Sequence, residues 1–230
     1  GPGSLVEMKP VKGDRNFDEA GATAARIVYR STNGVDGRPT QVSALIAVPA
    51  GPPPKGGWPI ISLGHEATGV MSKCAPTLAA EFWGYSSGMT VYLRRGYAMV
   101  LSDYYGLGVE PGPGGQQHSI LDATTLGNNI IDAARAIHRA APSTSANWGA
   151  LGAGEGGLAA WAAADGERID HGQGRGGDAL PALEADGRKP DASCRRRRRL
   201  SRRHERRVQS ALGRRRYRVS GGTGAQWPRA

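Results

Sequence analysis

Cysteine is scarce in this 230-residue chain, and the two present, Cys74 and Cys194, fall in segments of unlike composition. One thiol in each gives neither a disulfide framework nor a metal-ligand spacing, so unpaired or mispaired thiols are expected rather than a Cys74–Cys194 bridge. Long apolar runs are also lacking. None approaches the roughly 18 residues that a membrane span requires. The start has no basic-then-apolar signal segment. Gly1-Pro2-Gly3-Ser4 reads equally as the scar of a cleaved tag or as the beginning of a mature or truncated chain.

The last third is poor in lysine and in apolar residues. Residues 1–164 hold 12 basic and 12 acidic residues, while residues 165–230 hold 18 and 8, so the whole net charge of +10 lies in that tail. Its basic residues are 17 arginines and one lysine, including the unbroken run Arg195 to Arg199. Nine large apolar or aromatic residues there are too few to offset the entropy of ordering the chain, and disorder is expected. Two readings stand. Residues 188–218 form a basic arm that binds nucleic acid or anionic membrane without sequence preference, through counterion release. Alternatively, the tail is a GC-rich gene translated in a shifted frame, which the coding DNA across codons 150–230 would reveal.

What is present divides the chain into an N-terminal extension (1–24), a partial α/β domain (25–164) and the tail (165–230). Residues 1–24 are polar and poorly periodic. Ala25 to Ser31 and Gln41 to Val48 alternate with period two around the turn residues Asn33 to Gly37, which predicts a hairpin. Short continuous apolar runs follow at Ile60–Leu63, Tyr97–Leu101 and Trp148–Leu151, the pattern of parallel strands buried on both faces. Between the last two, Leu126, Ile130, Ala134 and Ile137 mark one face of a helix over 119–140, stopped by Pro142. The order predicts a doubly wound, mostly parallel α/β sheet.

A glycine-bearing turn follows each core strand. These are Gly64-His65-Glu66-Ala67-Thr68-Gly69, then Asp103-Tyr104-Tyr105-Gly106-Leu107-Gly108, then Gly152-Ala153-Gly154-Glu155-Gly156-Gly157 leading into a helix. Strand, tight turn and helix form the setting of the G-x-S-x-G nucleophile elbow. Gly84-Tyr85-Ser86-Ser87-Gly88 also fits that pattern literally. Leu78 to Trp83 before it reads as helix or loop, however, so Ser86 is expected to be a solvated turn serine and only a minor alternative nucleophile.

From Val48 to Ala164, about half the chain, these segments resemble the secretory lipase family of actinobacteria and fungi, the Candida antarctica lipase A type of α/β-hydrolase. Its members carry a His-Gly-Thr-Thr-Gly-like segment, then Asp-Tyr/His-x-Gly-Leu-Gly, then Trp-x-x-x-Gly-x-Ser-x-Gly-Gly. The resemblance implies a secreted enzyme that hydrolyses acylglycerol or related esters through a serine acyl-enzyme, without metal or cofactor. It places the nucleophile at Gly154, elbow glycines at Gly152 and Gly156, and oxyanion-hole amides at Asp103 and Glu155.

The departure is at the centre. Gly154 has no hydroxyl, and loss of the serine alone costs on the order of 10⁶ in turnover in a characterised serine protease. The family's acid and base follow the nucleophile, yet only His171 and His204 come later, one too soon and one among the arginines. His65 precedes the elbow and reads as a structural loop histidine. The chain is expected to be inactive as written.

Overall fold

The computed structural model describes residues 1–109 and 117–172, with side chains up to 166. Among these residues six strands form one sheet: β1 (Leu5–Val11), β2 (Thr23–Thr32), β3 (Pro39–Val48), β4 (Trp58–Gly64), β5 (Ala98–Ser102) and β6 (Thr144–Gly152), in the order β1-β2-β3-β5-β4-β6. β1, β2, β3 and β5 pair antiparallel, and β4 lies parallel to both β5 and β6. The predicted hairpin is β2–β3, in register from Thr23↔Val48 to Thr32↔Pro39.

Among the described residues four α-helices accompany the sheet: α1 (Arg15–Ala20), α2 (Tyr85–Leu93), α3 (Ala123–Ala140) and α4 (Glu155–Gly172). One face of the sheet packs Ile27, Tyr29, Val42, Ile46, Ile60 and Val100 against Ala133, Ala134 and Ile137 of α3. The other packs Leu45, Ile61, Met99 and Leu101 against Phe17 of α1 and Met89 and Leu93 of α2. Apolar side chains on both faces explain why the central strands read as continuous runs rather than alternations.

Helix α3 is the organising element. Its predicted stripe of Leu126, Ile130, Ala134 and Ile137 is fully buried. Asp122 caps it, accepting from Thr125 N–H at 3.3 Å. Leu126 and Ile130 face α4, where Gly127 lets the helices approach: a methyl there would lie 2.9 Å from Ala162 Cβ. α4 is one continuous helix across Ala164, the point where the composition changes.

Residues 1–24 hold more than the sequence reading gave them. β1 pairs with β2 along Leu5↔Tyr29 to Val11↔Ala24, and Asp14 caps α1 through Phe17 N–H. The strand is hard to read because Val6 and Met8, which alternate briefly with Glu7 and Lys9, are exposed and mark no buried face, and Pro10 interrupts the run. Gly3 is buried against α3, its N–H on Arg30 O at 2.6 Å. Among the described residues no helix is long and apolar enough to cross a membrane.

Candidate functional site

The chain passes from β4 to β5 on one side, then from β5 back past β4 to β6. That reversal creates a switch point, and ligands of open α/β sheets bind beyond the carboxyl ends of the strands at such points. All three motif turns lie there, following β4, β5 and β6.

The turn after β6 makes the elbow. Gly154 has φ +56, a left-handed conformation that costs a side chain strain. Gly152 and Gly156 are needed for contact rather than conformation. A methyl on Gly152 would strike Gly156 O, and one on Gly156 would strike Gly64 O. A methyl on Gly64 would lie 2.6 Å from Tyr104 Oη. Strand end and helix start therefore touch backbone to backbone. Position 154, by contrast, has room, since a methyl there would meet Glu66 Cγ at 3.5 Å and Oε1 at 3.7 Å, ordinary packing distances. The geometry accommodates a serine side chain that the sequence does not supply.

Asp103 does not take the expected role. Its N–H is bonded to Ser43 O at 2.9 Å, continuing the antiparallel contact of β3 with β5, and is not a free oxyanion donor. Its carboxylate explains the motif instead. Oδ2 accepts from Ser43 Oγ at 2.5 Å and from Thr77 Oγ1, while Oδ1 accepts from Thr77 N–H at 3.0 Å. Burial pushes its pKa up despite these donors. Arg26 extends the tie by donating to Thr77 Oγ1 and Gly108 O. Asp103 thus fastens the segment after β4 to the end of β5. The loop beside position 154 is the one after β4, carrying Glu66, whose N–H donates to Tyr85 Oη at 3.2 Å. Glu155 opens α4, so its amide is one of those with no intrahelical acceptor.

Two buried histidines bind the loops together. His65 Nδ1 lies 2.6 Å from Glu66 O and Nε2 3.3 Å from Asp103 O, and burial lowers its pKa, so it is the structural histidine expected. Its ring packs on Tyr104 at 4.4 Å, and Tyr104, itself at φ +68, donates to His65 O at 3.2 Å. On the other side of Tyr104, stacked at 5.8 Å, is His118. His118 contacts Tyr105 O at 3.0 Å through Nδ1 and Glu155 Oε1 at 3.0 Å through Nε2. Sequence reasoning missed His118 because chain order rules it out as the family's base and no periodicity marks it. Glu66, whose side chain lies nearest position 154, was missed as well, although it stands just after the first core strand.

Ser86 is not a solvated turn residue. It lies fully buried in the first turn of α2, accepting from Asn16 Nδ2 at 2.8 Å, with no strand leading to it. Three consecutive left-handed residues, Glu81 to Trp83, precede it in place of an elbow. Cys74 carries a free thiol. Cys194, His204 and the basic segment 188–218 lie outside the described residues, and His171 falls where only the backbone of α4 is described.

Strand order, switch point and strand–turn–helix elbow together define an α/β-hydrolase fold. Solved structures of two enzymes share it. Candida antarctica lipase A in its closed state aligns at a TM-score of 0.56 and 17% identity, over 71% of this chain and 38% of that one. The rice cell wall degrading esterase LipA from Xanthomonas oryzae aligns at 0.57 and 18% identity, over 78% of this chain and 49% of that one. The chain therefore spans less than half the length of either enzyme. No family model and no curated protein matches the chain.

Proposed function

We propose that this chain descends from secreted serine lipases or esterases and is inactive as an ester hydrolase because its elbow carries no nucleophile. The observation that supports this most directly is position 154. It has the left-handed backbone of an elbow, glycines on both sides whose replacement would clash, and open space where a seryl side chain would stand. A complete site would attack an acylglycerol or related ester with that serine and stabilise the tetrahedral oxyanion at the Glu155 amide and a second donor from the loop after β4. No metal or cofactor has a part in that chemistry. Secretion and the ester substrate follow from the resemblance.

The test is hydrolysis of p-nitrophenyl butyrate and of emulsified tributyrin by the full chain, by Gly154→Ser and by Ser86→Ala. No turnover above buffer is expected from any of the three, because a serine at 154 would still lack the later acid and base. Turnover that persists in Ser86→Ala would overturn this account of the site. Activity gained by Gly154→Ser would show that an acid and base are in place after all.

A further inference from the structure

His118 and Glu155 are both buried, their side chains 1% and 2% exposed, and they join two segments far apart in sequence. His118 stands in the segment 117–122 that precedes α3, and Glu155 opens α4 beside position 154. Tyr105 O can only accept, so Nδ1 carries a proton. Glu155 Oε1 needs a donor, and Nε2 supplies one only when the ring holds a second proton. Among the described residues Glu155 Oε2 is buried with no partner, so within them this single bond is the carboxylate's side-chain compensation. Burial alone would lower the His118 pKa, but the bonds to Glu155 and Tyr105 O more than reverse it, and the net shift is upward.

We propose that His118 and Glu155 form a proton-held clamp that locks residues 117–122 onto the first turn of α4 and opens when the shared proton leaves. Without that proton, Nε2 becomes an acceptor facing a carboxylate with no donor at either oxygen. A buried charge stripped of its partner is strongly destabilising, and the cheapest relief is local opening that lets water reach Glu155. Among the described residues, the ionisable groups linked to the clamp are Tyr104, stacked on the His118 ring, and beyond it His65, Asp103 and Tyr85. None of these places a donor on Glu155, so none replaces His118. The clamp is independent of ester chemistry and acts in the chain as it stands.

The sign follows from linkage. A histidine whose folded pKa is raised contributes stability that is fully present below its ordinary value of about 6.5 and is lost as pH rises through the folded value. Within that window the opening equilibrium grows by about tenfold per pH unit. The experiment uses the full-length protein and its Glu155→Gln and His118→Gln variants. NMR titration follows the His118 ring, and hydrogen exchange follows the amides of 117–122 and 155–158 as protection factors against pH. In the parent, His118 is expected to titrate above the ordinary value, with protection in these two segments falling together through that titration. In Glu155→Gln, whose neutral amide suits a neutral imidazole, His118 should titrate at or below the ordinary value and protection should no longer depend on pH. His118→Gln should lose the same pH dependence. The proposal is overturned if His118 titrates at or below the ordinary value in the parent, if Glu155→Gln leaves its titration unchanged, or if protection is flat through the titration. Should one variant fail to fold, the parent titration and exchange profile still decide.

Discussion

Gly152 and Gly156 are glycine for want of room and Gly154 for its left-handed backbone, and substitution separates the two reasons. Gly154→Ser should fold and lose about 1 kcal/mol, the strain of a side chain in a left-handed conformation, readable as a lower urea midpoint at unchanged slope. Gly156→Ala should cost at least about 3 kcal/mol or abolish folding, because its methyl would collide with a backbone carbonyl that has no rotamer to escape into. Asp103→Ala tests the reassigned role. It would leave Ser43 Oγ–H, Thr77 N–H and Thr77 Oγ–H without their acceptor, and a loss of about 3 kcal/mol is expected in the same denaturation experiment. A much smaller loss would return Asp103 to the status of a simple strand-end residue.

At the level of elements, α3 carries a second buried acid whose protonation tracks folding. Asp132 accepts from Ser31 Oγ at 2.9 Å and Arg135 Nη1 at 3.1 Å, and burial raises its pKa to about 6. A raised carboxylate binds a proton in the folded state that the unfolded chain has already released. Its contribution therefore favours folding at low pH and is lost as pH rises from about 4 to about 6. Asp132→Asn should flatten the pH dependence of stability over that interval, measured by urea unfolding at several pH values. Asp103 acts with the same sign, so part of the slope should remain. The elements that sequence revealed are those with one consistent environment: β2 and β3 through alternation, β4 and β5 through unbroken apolar runs, α3 through its stripe. β1 escaped notice because its alternation is only four residues long, is cut by Pro10 and marks no buried face. The clamp escaped because His118 meets Glu155 only after the chain folds, across 37 positions. Asp103 was visible but misassigned, since a motif gives a residue's place and not the direction of its N–H.

Over the whole molecule, charge is divided as sharply as composition: zero through residue 164 and +10 beyond it. The full chain should bind a polyanion matrix and elute with salt, and replacing Arg195 to Arg199 by glutamine should lower the salt needed. Binding unchanged by that replacement would remove the reason to regard the tail as a ligand-binding arm. Stability and chemistry are also lodged in different atoms. The backbone contacts at Gly64, Gly152 and Gly156 hold the elbow together, while position 154 contributes nothing to that packing. For a gene drifting without demand for its product's activity, exchange of serine for glycine at this position is downhill in folding energy. Quality control that senses only unfolded protein would let such an allele pass. The hydroxyl is the part of this architecture that can be forgotten without the fold registering the loss.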